Sequence, residues 1–250
     1  MTERTEVSVI SLNIWGGQVR DPLLEFLARE AETTDVFCLS EVFNGGTFRP
    51  WLGDCDPEIF SHIQEALPNH QGYYCDEHEQ EEGIAMFIGK DLSVDQTGHE
   101  FVHRWKNAMV NDDGGTLGRA LQYAVLEKER KQFTVAHFHG LWNGEGKDDS
   151  QDRIMQSLLV NTIMSTLPNP QILCGDFNLN PNTDSLMILE YDRVNLIKEL
   201  KVLSTRSDLY KKPGKFADYM LVSEDTKVLD FKVLQDQISD HLALKVKIAI

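Results

Sequence analysis

Apolar and polar positions along the chain follow two different periods. Residues 7–14 (VSVISLNI) read as a strand, and residues 35–42 (DVFCLSEV) as a second, strongly apolar one. Between them Leu23, Leu24, Leu27 and Ala31 recur at helical spacing over 22–32, with Asp21 before Pro22 as the expected N-cap and first-turn pair. This order predicts a βαβ unit. In the middle of the chain, segments 71–76, 83–89, 93–104 and 117–127 read as strands. Turn signals divide them, and Asn111-Asp112-Asp113-Gly114-Gly115 is the clearest. Residues 132–139 (QFTVAHFH) alternate with a period of two. A helix follows at about 150–167, with Ser150 as N-cap and Pro168 beyond its end. A strand over 171–176, one or two helices within 183–201, and strands over 216–223, 228–234 and 241–250 complete the pattern.

No Pro/Ser-rich linker interrupts this pattern and no short-period repeat underlies it. The expectation is therefore one α/β domain over residues 1–250, with mixed sheets stacked as a sandwich and helices outside. A chain of 250 residues, 41% apolar and 26% charged, can bury a sizeable core and is not of disordered composition.

Charge narrows the partners. Forty acidic against 24 basic residues give a formal −16, which repels a phosphate polymer at long range and argues against a broad grip on duplex DNA. No apolar run reaches transmembrane length, and Met1 to Glu6 are polar, so the expectation is a cytoplasmic protein without stable membrane insertion. The four cysteines form no CxxC pair. Cys38 and Cys174 lie in apolar strands and read as buried free thiols.

The informative polar residues stand at strand ends. Asn13 closes the first strand, Glu41 the second, and His139 the strand 132–139; Asp176 and Asn178 follow ILC in the motif GDFN. Asp218 and His241 stand near the beginnings of late strands, and Asp240 adjoins His241 in SDH. If the late strands run antiparallel to the others, all these groups meet on one rim. Singly, each has a plainer explanation: an Asp or Asn after a strand is commonly turn chemistry. Together, in this order, they are hard to attribute to turns.

LNIWGG, LSEV, the HFH run, GDFN, ADYMLVS and SDH, in sequence, resemble the endonuclease/exonuclease/phosphatase superfamily, from Asn13 to His241. The resemblance implies a four-layer α/β sandwich: two mixed, mainly antiparallel sheets packed face to face with outer helices. It also implies a divalent-metal-dependent hydrolase of phosphate esters, with Mg²⁺ as cofactor and Mn²⁺ as a substitute. By resemblance, Glu41 is the main metal ligand, Asn13 supports the metal, and Asp240 serves the metal region. Asp176 is the candidate to orient and deprotonate the attacking water, and by resemblance Asn178 holds the phosphate or the nucleophile. His241 is suited to donate to phosphoryl oxygens as charge grows, with Asp218 as the carboxylate partner that the family geometry implies. His139 matches a second histidine of the deoxyribonuclease and sphingomyelinase branches, and its carboxylate partner matches Glu82.

Other residues read differently. His137 shares a strand face with His139 and is expected in the core or behind the site. Arg153 is expected on the exposed side of its helix. Asn143, Trp15 and Trp142 are open between lining the site and ordinary turn or packing roles.

The substrate is less legible. Asn13-Ile14-Trp15-Gly16-Gly17 departs from the abasic-endonuclease pattern, and Phe216-Ala217-Asp218-Tyr219 lacks the arginine common before that aspartate. A nuclease-type phosphodiesterase is the leading expectation, so nucleic acid is a candidate substrate. A neutral sphingomyelinase-like or inositol-phosphate phosphatase-like enzyme is the rival. A non-catalytic binding module on the same fold predicts losses among Glu41, Asp176, Asn178, Asp218 and His241, and none is lost. No obligate protein partner is implied.

Overall fold

A computed structural model describes residues 5–45, 53–78, 82–106 and 117–250. The turn signal at 111–115 lies outside the described residues. Two six-stranded sheets pack face to face. The first has the order β11-β12-β1-β2-β4-β3, built from β1 (Glu6–Asn13), β2 (Val36–Val42), β3 (His70–His78), β4 (Glu82–Gly89), β11 (Lys227–Val233) and β12 (Leu244–Ala249). The second has the order β5-β6-β7-β8-β10-β9, from β5 (Ser93–His103), β6 (Arg119–Lys128), β7 (Lys131–Phe138), β8 (Gln171–Asp176), β9 (Arg193–Asn195) and β10 (Asp218–Ser223). In each sheet one central pair is parallel, β1 with β2 and β7 with β8, and the remaining pairs are antiparallel. With helices outside, this is the expected four-layer α/β sandwich.

The layering follows from which faces are apolar. β1 is buried on both sides: Val7 and Val9 join the core between the sheets, while Ile10 and Leu12 pack with Leu23, Phe26 and Leu27 of α1 (Arg20–Glu30). Burying each such side chain stabilises by about 1.5–3 kcal/mol, which holds helix and sheet together. α2 (Ile59–Ala66) adds Ile59 and Ile63 to that outer layer. The second sheet is covered by α3 (Gln151–Met164) and α4 (Asp184–Leu189), and α5 (Leu196–Glu199) packs against β10.

Two sequence expectations are corrected. Asp21 is not the N-cap of α1. The helix starts at Arg20 after Val19, which makes no side-chain cap, and Asp21 sits in the first turn paired with Arg20. Arg153 is not exposed; it is buried on the inner side of α3. Ser150 does cap α3, its hydroxyl accepting from the Arg153 amide at 3.3 Å. All four cysteines are free, and Cys38 and Cys174 are buried.

Candidate active site

Strand parity decides which side chains reach the rim between the sheets. Val7, Val9 and Asn13 share one face of β1, so the face that fills the inter-sheet core ends in a polar group. On β8, Cys174 meets Cys38 of β2 across the sandwich, and Asp176 two residues on faces the same way. Asp218 opens β10 directly opposite Asp176 in antiparallel register, which puts both carboxylates on one face. His137 on β7 reaches the Leu39 carbonyl of the facing sheet at 3.3 Å, and His139 continues that face to the rim. Behind these groups β8 approaches β7 so closely that a Cβ on Gly175, whose φ is +137°, would lie 2.2 Å from the Phe138 carbonyl oxygen.

Glu41 breaks parity. Strict alternation would send it outward with Phe37 and Leu39. Instead the pairing of β2 with β4 shifts between Ser40 and Val42, and Glu41 takes a φ of +59°. This bulge re-aims the carboxylate toward the rim. There the Asn13 amide nitrogen donates to Glu41 Oε1 at 2.8 Å and to Asp176 Oδ2 at 3.2 Å. The side-chain Oδ1 of Asn13 accepts from the Trp15 N–H at 2.9 Å, and Asp176 Oδ1 from the Asn178 N–H at 2.9 Å. Turn chemistry and site chemistry therefore coincide: two Asx turns fix the orientation of functional side chains.

The two histidines stand in different environments. His241 Nδ1 lies 2.9 and 2.8 Å from the Asp218 carboxylate oxygens, and its Nε2 lies 3.5 Å from Asp176 Oδ2. Burial disfavours the imidazolium, but Asp218 and Asp176 outweigh it and raise the pKa. Asp176, Asp218 and His241 hold one ligand-type atom each within 4.8 Å of one another. His139 Nε2 is 3.9 Å from Glu41 and 3.8 Å from Asp176, and its Nδ1 is 3.7 Å from Glu82, too far for a direct hydrogen bond. Burial and the nearby Arg119 push the His139 imidazole down to about 3, so it is neutral at physiological pH.

Arg119 holds Glu82 instead, with Nη1 at 2.7 Å, and also reaches the buried Glu77 at 3.3 Å. It keeps the Glu82 carboxyl below its usual range against the effect of burial. Glu41 has no such cation. Burial and the neighbouring Glu82 push it up to about 7, while the Asn13 hydrogen bond only partly offsets them. Burial would also raise Asp176, but the charges of His241, Lys147 and Arg206 hold it well below the carboxylate range.

A cavity of about 410 Å³ opens onto these groups. Trp15, Trp142, Asn178 and Asp240 line it together with Glu41, Glu82, Asp176, His139 and His241. Asp218 lies behind His241, and Asn143 is occupied by Arg153 rather than facing the cleft. Sequence reasoning missed six further lining residues: Leu117, Arg119, Lys147, Arg206, Tyr210 and Lys212. Arg119 opens β6; Lys147, Arg206, Tyr210 and Lys212 come from irregular loops, where neither period nor strand end marks a position. A larger cavity of about 550 Å³ near Gly17–Pro22 and Asp54–Pro57 has no comparable convergence of groups.

The sequence matches the Endonuclease/Exonuclease/phosphatase family over residues 10–241. The chain belongs to this family. Its members are phosphoesterases and generally depend on a divalent metal. Solved structures share the fold at low identity. An endonuclease/exonuclease/phosphatase family protein from Bacteroides thetaiotaomicron is 19% identical, with a TM-score of 0.75 over 99% of both chains. The mannosyl-6-phosphatase of the same organism is 19% identical, with a TM-score of 0.75 over 98% of this chain and 100% of that one. D. rerio TDP2 in complex with single-strand DNA product is 14% identical, with a TM-score of 0.71 over 98% and 99%. No curated protein matches the sequence. Among the described residues, no helix is long and apolar enough to cross a membrane.

Proposed function

We propose that this chain is a divalent-metal-dependent hydrolase of phosphate esters, of nuclease type, acting as one domain and using Mg²⁺ or Mn²⁺. The observation that carries the reading is the convergence of Glu41 and Asp176 on a single Asn13 amide, with His139 and His241 facing Asp176 from either side. The donor set fits a hard cation: it offers carboxylate oxygens, and Glu41 has no Lys or Arg within ion-pair distance among the described residues, so burial pushes its carboxyl up to about 7. Glu41 holds the metal, with Asp240 on the same rim. When bound, the metal supplies charge neutralisation and polarises the phosphoryl group.

The other roles belong to the chain itself. Asn13 positions the two carboxylates through its Nδ2, and its Oδ1, which accepts from the Trp15 N–H, keeps a second lone pair to support the metal. Asp176 orients the attacking water and takes its proton. The Asn178 N–H fixes the carboxylate for that task, while the Asn178 side chain contacts the phosphate. His241, charged and held at Nδ1 by Asp218, presents Nε2 to the phosphoryl oxygens as charge develops. His139 is a neutral donor on the opposite wall, with Glu82 behind it.

A second reading, a phosphomonoesterase acting on a small molecule, is favoured by the cavity of about 410 Å³ in a chain of charge −16. Such a volume falls within the range of about 300–1,000 Å³ typical of small-molecule sites. The shared fold of a mannosyl-6-phosphatase is in keeping with it.

The test is a hydrolysis panel with Mg²⁺, Mn²⁺ or chelator. It comprises bis-p-nitrophenyl phosphate, p-nitrophenyl phosphate, plasmid, single-stranded DNA, RNA, sphingomyelin and inositol phosphates. Asp176→Ala and His241→Ala should each lose at least about 100-fold in kcat. Turnover that persists in chelator, or unaltered rates in either variant, refutes the mechanism.

A further inference from the structure

The cleft is lined by cations as well as by carboxylates. In a chain of formal charge −16, four cations line this cavity: Arg119, Lys147, Arg206 and Lys212. Arg119 is committed to Glu77 and Glu82. The other three belong to two loops that meet beside His241. Lys147 follows β7, and its Nζ donates to the Phe216 carbonyl at 3.1 Å. Arg206 and Lys212 lie on the loop that leads back to β10. Lys147 feels Asp176 before it feels the like charge of Arg206, and Asp218 and Asp240 also favour its charged form.

Arg206 is held firmly in place. Its backbone pairs with His241 in an isolated antiparallel bridge, the Ser207 N–H donates to the Asp240 carbonyl at 3.1 Å, and the Leu242 N–H donates to the Thr205 carbonyl at 2.9 Å. Its guanidinium stacks on Tyr210, 4.1 Å from the ring centroid. The side chain is only 8% exposed. Its protein contacts are Asp240 at 3.4 Å and His241 Nε2, both through Nη1, and the buried Nε has no acceptor among the described residues. Of its donors, the Nε–H is the one buried without an acceptor among the described residues. A buried unmet donor is costly, and the long contact of Nη1 with Asp240 does not supply its acceptor. Lys212, which is exposed, forms no ion pair among the described residues.

We propose that Arg206, Lys147 and Lys212 form a second anion-binding subsite beside the reacting phosphate. The substrate is then a compact phosphate ester carrying a further phosphate or carboxylate group close to the bond that is cut. The proposal rests on the phosphoesterase reading above and adds the substrate class. The cavity volume suits a small molecule, and Tyr210 and Trp142 flank the cations with flat apolar surface.

The test uses three probes that share a glycerol-type phosphate: glycerol 3-phosphate, with no second anion; 3-phosphoglycerate, with a carboxylate; and 2,3-bisphosphoglycerate, with a carboxylate and a second phosphate. Each is measured as a competitor of bis-p-nitrophenyl phosphate hydrolysis at fixed free Mg²⁺, and by calorimetric titration. The full chain, Arg206→Ala, Arg206→Lys and Lys212→Ala are compared. The expected result is binding at least about tenfold tighter for one or both doubly anionic probes than for glycerol 3-phosphate. Which probe gains identifies the second group as carboxylate or phosphate. In Arg206→Ala the ratio should shrink to about twofold, Arg206→Lys should restore part of it, and Lys212→Ala should lower it by about threefold. Ratios within each variant are unaffected by a change in turnover caused by Arg206 touching His241. Equal affinity for all three probes, or a preference undiminished in Arg206→Ala, overturns the proposal. A calorimetric preference in a protein that hydrolyses no ester supports the subsite and instead removes the catalytic reading.

Discussion

Replacing Glu41 by Gln should stabilise the metal-free protein at alkaline pH while destroying its activity. The substitution keeps the side chain's size and an oxygen for the Asn13 amide, and removes the charge. Burial and Glu82 raise the folded-state pKa of Glu41 from 4.5 to about 7. The unfolded chain therefore ionises first as pH rises. This cost is absent below about 4.5, grows up to about 7 and is constant above. The full shift corresponds to about 3 kcal/mol at about 1.4 kcal/mol per unit. The side chain is 29% exposed, and solvent screening reduces the figure to about 1–2 kcal/mol. For a chain of this length that is about 2–8 °C in Tm. Glu77, also raised to about 7, is present in both proteins and cancels. Scanning calorimetry in chelator at pH 8 should show the variant melting higher, with the advantage falling to about 0.4 kcal/mol at pH 5. Saturating Mg²⁺ should raise the Tm of the parent protein at pH 8 and leave the variant unchanged. A variant that melts lower at pH 8 in chelator, or a difference independent of pH, would refute the argument.

Two further outcomes follow from named contacts. Arg153 donates to the carbonyls of Asp148 at 2.9 Å and Gly146 at 2.6 Å and to Asn143 Oδ1 at 3.2 Å, tying down the loop that carries Trp142 and Lys147. Arg153→Ala should cost about 3 kcal/mol in urea unfolding and raise KM, whereas Lys, lacking the planar fork, should recover less than half; a loss below about 1 kcal/mol would show that the loop holds itself. Asp218 favours the charged form of His241, so Asp218→Asn should lower the histidine's pKa and move the alkaline limb of the pH–rate profile to lower pH. An unmoved alkaline limb would mean that His241 does not act as the charged donor.

The parts of this site that follow chain periodicity could be read from sequence, and the parts set by tertiary contacts could not. Asn13, His139 and Asp176 continue the faces of buried strands, so alternation alone directs them to the rim. Glu41 also stands at a strand end, but its direction depends on a bulge against β4 that no local pattern announces. Arg206 lies in a stretch without regular secondary structure and acquires its place only by pairing with His241, 35 residues on. Arg153 looks like a surface residue because its acceptors are carbonyls of the preceding loop, which a helical wheel does not contain. α2 was missed for its brevity: only Ile59 and Ile63 of its eight residues are buried. Asp21 read as a cap because it precedes proline, but the chain turns into the helix two residues earlier.

The central claim is a divalent cation held by Glu41 beside Asp176. Anomalous diffraction at the manganese edge from crystals soaked in Mn²⁺ tests it directly. The account predicts a peak bonded to a Glu41 carboxylate oxygen, within about 2.0–2.6 Å, on the rim shared with Asp176 and Asp240. Crystals of an enzyme that hydrolyses phosphate esters with Mn²⁺, yet shows its ordered manganese away from Glu41, would contradict it.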